Sequence, residues 1–245
     1  MKVIVTENYE ASCAYVAKEM VDLINANPNA KLGLATGATA EFLYPHLVRA
    51  YEEGKVDFSG VTTVNLDEYL GLDPENPCSY RKCMNTWLFD KVNIKKENTY
   101  VANGLNDPEE EIKIFNEKLY GDKFVDFQLL GVGVSGHIGF NEAGDHLVEG
   151  VHVENLDEST IAANARYFDS PADVPTQAMT MGVGDILKAG RLVLVATGDS
   201  KVGCISRLLA DDHITSDLPV SVLKLHRDAT VVIDRELADK CGYKG

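Results

Sequence analysis

Leu129-Leu130-Gly131-Val132-Gly133-Val134-Ser135-Gly136-His137-Ile138-Gly139-Phe140-Asn141-Glu142 is the stretch whose pattern decides the fold. Residues 127–132 are a short apolar run, which predicts a buried strand. The run breaks into alternating glycines that let a backbone turn sharply and approach a ligand closely. His137 stands just past the strand end. Glu142 follows five residues on, beside Asn141, so a loop curling back brings its carboxylate to the imidazole and fixes which ring nitrogen carries the proton. That is the layout of an oriented acid/base. A glycine-rich strand-to-helix turn with a surface histidine fits the same letters, and glycines alone do not separate the two.

On either side of this stretch, strand and helix patterns alternate. Residues 3–5 predict a first strand, and residues 9–24 place Cys13, Val16, Ala17, Met20, Val21 and Ile24 at helical spacing before Asn27-Pro28 stops them. Residues 32–35 are the next buried strand, running through Thr36-Gly37-Ala38-Thr39 into a helix with Phe42, Leu43, Leu47 and Val48 inward. With Thr39 as N-cap, Pro45 lies beyond the first turn and removes a helical N–H, which predicts a kink or a late helix start. Residues 61–66 are strand-like and end at Asp67-Glu68-Tyr69, and residues 79–92 predict a helix carrying Trp87, Leu88 and Phe89. Asp107-Pro108-Glu109-Glu110-Glu111 is the clearest helix start, with a capping aspartate, proline at the first helical position and acids at the positive end of the dipole. Residues 151–153, 178–181, 192–196 and 230–233 are further strands, and residues 158–165, 185–188 and 201–209 further helices.

Alternating strands and helices, with nearly continuous apolar strands, predict an α/β fold: one domain over residues 1–245, its mostly parallel sheet sandwiched between helices in a Rossmann-like three-layer arrangement. In such sheets ligands sit beyond the carboxyl ends of the strands. The 245 residues are enough to bury a sizeable core. With 38 acidic against 23 basic residues and a formal charge of −15, the chain has no unaided attraction to nucleic acid or to an anionic membrane, and an anionic substrate needs a locally positive pocket. Five scattered cysteines without CxxC spacing predict neither a disulfide framework nor a zinc site, and a reducing cytoplasm fits them. The apolar run at the start is too short for a signal peptide, and no run approaches the ~20 apolar residues of a membrane span.

The chemistry-bearing residues fall mainly at predicted strand ends. Thr36-Gly37-Ala38-Thr39 leads into a helix N-terminus, where free N–H groups suit an anion such as phosphate; a simply capped helix is the alternative. It lacks the GxxxxGK[ST] of a nucleotide loop and the GxGxxG of a dinucleotide site, so a small phosphate-bearing molecule fits better than ATP or NAD. Thr197-Gly198-Asp199-Ser200-Lys201 has the same character, with a lysine in a first helical turn that the dipole disfavours unless an anion is bound. Arg166, among apolar and aromatic neighbours, carries a guanidinium fork suited to phosphate oxygens, though a lone arginine is commonly a surface residue. Asp67 ends a buried strand, where a desolvated carboxylate has a raised pKa and can act as a general base; a turn cap is the other possibility. Strand alternation points Glu68 the other way. The other histidines (His46, His146, His152, His213, His226) show no metal-ligand spacing.

Five stretches in order, Leu34-Ala35-Thr36-Gly37, Asn65-Leu66-Asp67-Glu68-Tyr69, Gly131 to Glu142, Ala163-Asn164-Ala165-Arg166-Tyr167-Phe168 and Ser200-Lys201, closely resemble the glucosamine-6-phosphate deaminase (isomerase) family over essentially the whole chain. The resemblance implies a cytoplasmic amino-sugar enzyme that converts glucosamine 6-phosphate and water to fructose 6-phosphate and ammonia, without metal or organic cofactor. By position, it implies that His137 assists opening of the pyranose ring, with Glu142 orienting it. Asp67 takes the C2 proton to give an enolamine and returns a proton to C1, while Thr36 to Thr39, Arg166 and Lys201 hold the 6-phosphate. Two positions depart from the family pattern. Ser135 stands where Asp or Asn is usual as support for the histidine, and Ala40 stands where proline is common.

Galactosamine 6-phosphate is an alternative substrate, since one stereocentre is decided by pocket shape. A non-catalytic sugar-phosphate sensor is the alternative of another class, and the acidic charge and the joint presence of Asp67, His137 and Glu142 speak against it. Residues 151–174 are a candidate lid carrying Arg166 inward. The sequence leaves open whether the chain is a monomer or a homo-oligomer.

Overall fold

The computed structural model describes residues 1–210 and 212–244, without the side chain of Thr39. Along them run β1 (Lys2–Thr6), α1 (Tyr9–Ala26), β2 (Lys31–Leu34), α2 (Ala38–Glu52), β3 (Thr62–Asn65), β4 (Asp67–Tyr69), α3 (Tyr80–Met84), β5 (Thr99–Tyr100), α4 (Pro108–Tyr120) and β6 (Phe127–Leu130). They continue through β7 (His152–Asn155), α5 (Glu158–Asn164), β8 (Gln177–Thr180), α6 (Val183–Leu187), β9 (Arg191–Ala196), α7 (Val202–Ala210), β10 (Ala229–Asp234) and α8 (Arg235–Lys240). Among these residues, seven strands form one wholly parallel sheet in the order β1-β10-β9-β6-β2-β3-β5, flanked by helices. The apolar runs of β6, β9 and β10 are buried end to end because helices cover both faces of a parallel sheet. In α1, Cys13, Val16, Ala17, Met20 and Ile24 form the buried stripe that their spacing predicts.

The site is located by where the crossovers part. From β2 the chain moves to β3 on one side, whereas from β6 it returns to the sheet at β9 on the other. A crevice therefore opens between β2 and β6 at their carboxyl ends. The two strands pair at Leu32–Phe127 and Gly33–Gln128, two rungs against four between β6 and β9, so they separate early. Gly33 leaves room for Gln128 at that rung: a Cβ there would stand 1.9 Å from the Gln128 side-chain oxygen, so the glutamine would have to shift.

A second, three-stranded antiparallel sheet, β4-β8-β7, lies beside the first. Leu66 is the pivot. Its N–H still bonds Leu34 O of the parallel sheet at 2.9 Å, while its carbonyl accepts from Met181 N–H at 2.8 Å. The apolar run through residues 61–66 does not reveal this break, so Asp67, expected to end a strand, in fact begins β4.

The N-cap, the start of α2 and the side on which Phe42 lies differ from what the pattern predicts. The N-cap of α2 is Gly37 rather than Thr39, and the helix does not start late: it runs from Ala38 to Glu52 with Pro45 inside it. Leu43, Leu47 and Val48 are buried, but Phe42 is 53% exposed, packed edge-on against Tyr9, while Tyr44 takes its place inside. Starting the helix at Ala38 turns Phe42 towards the crevice mouth. The helix expected over residues 79–92 is α3 followed by a wider π turn ending at Phe89. β5 and α8 carry too short a pattern to be predicted.

Candidate active site

The crevice is a cleft of about 500 Å³. Its lining includes Thr36, Gly37, Ala38, Asp67, Ser135, His137, Arg166 and Lys201. Glu142 stands behind His137, outside that lining, and the side chain of Thr39 lies outside the described residues.

The loop after β6 is wound tightly enough to present His137. Gly133 N–H bonds His137 O at 2.9 Å, Gly136 N–H bonds Gly133 O at 3.1 Å, and Gly136 and Gly139 take φ values of +91° and +57°, which glycine alone adopts without strain. Beneath it, the Asn141 amide donates to Ile138 O and Met181 O, both at 2.8 Å, clamping the loop onto the residue that follows β8. This role of Asn141 was not read from the sequence. His137 Nδ1 lies 2.9 Å from Glu142 Oε2 and 3.0 Å from Ser135 Oγ. Burial opposes ionisation of Glu142, but the imidazole and the Thr160 hydroxyl outweigh it and hold the carboxyl below its ordinary range. An ionised Glu142 only accepts, so Nδ1 carries the proton and Nε2 is left to face the cleft.

Asp67 and Glu68 are adjacent carboxylates in opposite circumstances. Glu68 is enclosed and accepts from Tyr69, Tyr80 and Arg81 N–H and from the Ser79 hydroxyl at 2.8–3.0 Å, which pins the start of α3. Asp67 faces the cleft, 7% exposed, with no cationic side chain paired to it among the described residues. Burial, with the Glu68 charge added, pushes its pKa up to about 8. A carboxylate so poised is a strong base once ionised.

At the other end, the α2 N-terminus has no side-chain cap, which leaves its first N–H groups unspent, and Gly37 at φ +91° makes the turn into it. The loop after β9 turns at Gly198, φ +86°, and brings Thr197, Ser200 and Lys201 to the same place. Thr197 is fixed by its hydroxyl bond to Asp234, which also caps α8. Burial, with the Arg166 charge nearby, lowers the pKa of Lys201. Arg166 itself is exposed at the cleft rim, its guanidinium over the Tyr167 ring at 4.7 Å. One cleft thus joins a cationic, N–H-rich end to a histidine–glutamate pair and a buried aspartate.

A family model described as glucosamine-6-phosphate isomerases/6-phosphogluconolactonase matches residues 6–232. The chain belongs to this family. Within it, the chain is 46% identical to the glucosamine-6-phosphate deaminase of Clostridium perfringens strain 13 over 239 residues, 97% of this chain and 98% of that one. It is 44% identical to the enzyme of the same name from Thermoanaerobacter sp. strain X514, covering 97% and 94%. A solved structure described as a monomeric glucosamine-6-phosphate deaminase superposes with a TM-score of 0.95 at 41% identity, over 98% of this chain and 100% of that one. A 6-phosphogluconolactonase from Trypanosoma cruzi shares the fold, with a TM-score of 0.73 at 18% identity over 97% and 96%. The family therefore accounts for the parallel sheet and its crevice, and the relatives at 41–46% identity are the deaminases.

Proposed function

We propose that the chain is a glucosamine-6-phosphate deaminase, converting glucosamine 6-phosphate and water to fructose 6-phosphate and ammonia. The observation that carries this is the pairing, in one cleft, of Asp67, a buried base with no cation paired to it among the described residues, with His137 oriented by Glu142, a phosphate cradle at the other end. Full-length identity to named deaminases supports the same substrate. The α2 N-terminus, Lys201 and Arg166 take the 6-phosphate and hold the far end of the sugar, so that C1 and C2 are held between the two catalytic groups. His137, through Nε2, moves the proton between the ring oxygen and the C1 hydroxyl as the ring opens. Asp67 then takes the C2 proton and delivers a proton to C1, and water hydrolyses the resulting C2 imine to ketone and ammonia. The phosphorylated substrate and five unpaired cysteines fit a reducing cytoplasm. No helix among the described residues is long and apolar enough to cross a membrane. Ammonia release coupled to an enzymatic detector tests the activity, and turnover no higher than background rejects it.

Two expected results belong to this site. Ser135→Asp places a second carboxylate at Nδ1, where Ser135 Oγ now sits at 3.0 Å, and is expected to raise turnover near neutral pH by stabilising the imidazolium formed in ring opening. A rate unchanged or lower in that variant removes Ser135 from a supporting role. The second concerns segment 151–174, our proposed lid. Its β7 is tied into the second sheet, but α5 and the turn through Tyr167 border the cleft. Closing them on a sugar phosphate should slow backbone hydrogen exchange there, and identical exchange with and without ligand counts against a lid.

A further inference from the structure

Thr160 lies in the first turn of α5, 4% exposed, and its hydroxyl donates to Glu142 Oε1 at 2.5 Å. The opposite oxygen, Oε2, is the one facing His137 Nδ1 at 2.9 Å. The carboxylate that aims the imidazole is thus itself gripped by α5. Six residues along the chain from Thr160, roughly 9 Å at helical rise, Arg166 reaches the cationic end of the cleft beside Lys201. α5 and the single 3-10 turn after it, residues 165–167, therefore connect the two ends of the site without any intervening loop.

From this juxtaposition we propose that Thr160 is a positioning residue that couples phosphate engagement by Arg166 to the orientation of His137, acting through Glu142. A displacement of α5 moves the Thr160 hydroxyl with it. Because a carboxylate is planar and rigid, pulling Oε1 turns Oε2 with it, and the charge that lies 2.9 Å from the imidazole Nδ1 moves too. An anion that draws Arg166 inward seats α5, and a seated α5 locks the carboxylate in the plane that leaves Nε2 facing the sugar. Without the anion, the same bond holds less firmly and ring opening slows.

This coupling rests on the proposed deaminase activity only for its kinetic test. Thr160→Val keeps the side-chain volume and removes the donor, leaving Glu142 Oε1 without that partner. It is expected to lower kcat for ammonia release roughly tenfold to a hundredfold, with KM changed by less than about threefold. Thr160→Ser, which restores the hydroxyl, is expected to recover most of kcat. Independently of turnover, titration with inorganic phosphate is expected to shift the 15N resonance of His137 Nδ1 in the wild type and to leave it unmoved in Thr160→Val, though phosphate still binds. A valine variant with wild-type kcat, a serine variant as slow as the valine one, or an Nδ1 response to phosphate that survives in Thr160→Val each overturns the coupling. Absence of ammonia release from the wild type would instead reject the deaminase assignment, and the phosphate titration would still decide the link.

Discussion

Asp67→Asn is expected to lower ammonia release by roughly 10²- to 10⁴-fold, the usual contribution of a positioned general base, while inorganic phosphate binds as it does to the wild type. Asparagine has the shape of aspartate but cannot take the C2 proton, and it leaves the cationic end of the cleft untouched. The pH dependence follows from the same burial. Asp67 must be ionised to act, and its pKa in the folded chain is pushed up to about 8, so kcat/KM of the free enzyme should rise with pH towards an inflection in that region. The sign for stability is opposite. A carboxyl whose folded pKa exceeds its unfolded value stabilises fully below the unfolded value, and that stability is lost as pH rises through the folded one, here from about 4 to about 8. Within that window the loss is roughly 1.4 kcal/mol per pH unit for one group. Asp67→Asn should remove this term, so the variant should lose less stability than the wild type on going from pH 5 to pH 8 in denaturant titrations. Turnover within tenfold of the wild type would exclude Asp67 as the base, and parallel stability profiles would exclude the raised pKa.

Gly133→Ala is expected to cost roughly 10² in kcat without unfolding the chain. A Cβ on Gly133 would stand 2.1 Å from His137 Cε1 and Nε2, inside any real contact distance. The ring cannot simply step aside, because Nδ1 is held by Glu142 and Ser135 and the loop backbone is tied at Gly133 N–H to His137 O. The φ of Gly133 is not positive, so the penalty comes from the imidazole being displaced and not from the backbone. Displacement of the order of 1 Å at a proton-transferring group is enough for a loss of this size. Phosphate binding, which uses other loops, should survive. A Gly133→Ala enzyme within threefold of the wild type would show that the imidazole works from some other position.

The sequence by itself determined the element types, the parallel α/β class and most of the residues that meet in the cleft. These follow from local rules: apolar runs of strand length, apolar stripes at helical spacing, and glycines where a strand hands over to a helix. His137 and Glu142 were legible as a pair because Glu142 follows only five positions on, with the flexible Gly139 between them, which lets the loop curl back. Other properties were settled by contacts between residues distant in the chain. Asp67 begins a second sheet because Leu66 divides its backbone bonds between Leu34 and Met181. Phe42 faces the cleft mouth because α2 begins at an uncapped glycine. Thr160 reaches Glu142, 18 residues away, through no pattern that periodicity records. The raised pKa of Asp67 was expected from burial at a strand end, but its extent depends on how deeply the packed segments enclose it and on the Glu68 charge beside it. Local spacing fixes what a few successive residues do. Burial, partner choice and charge environment depend on which distant segments pack together, and here the separation of β2 from β6 sets them.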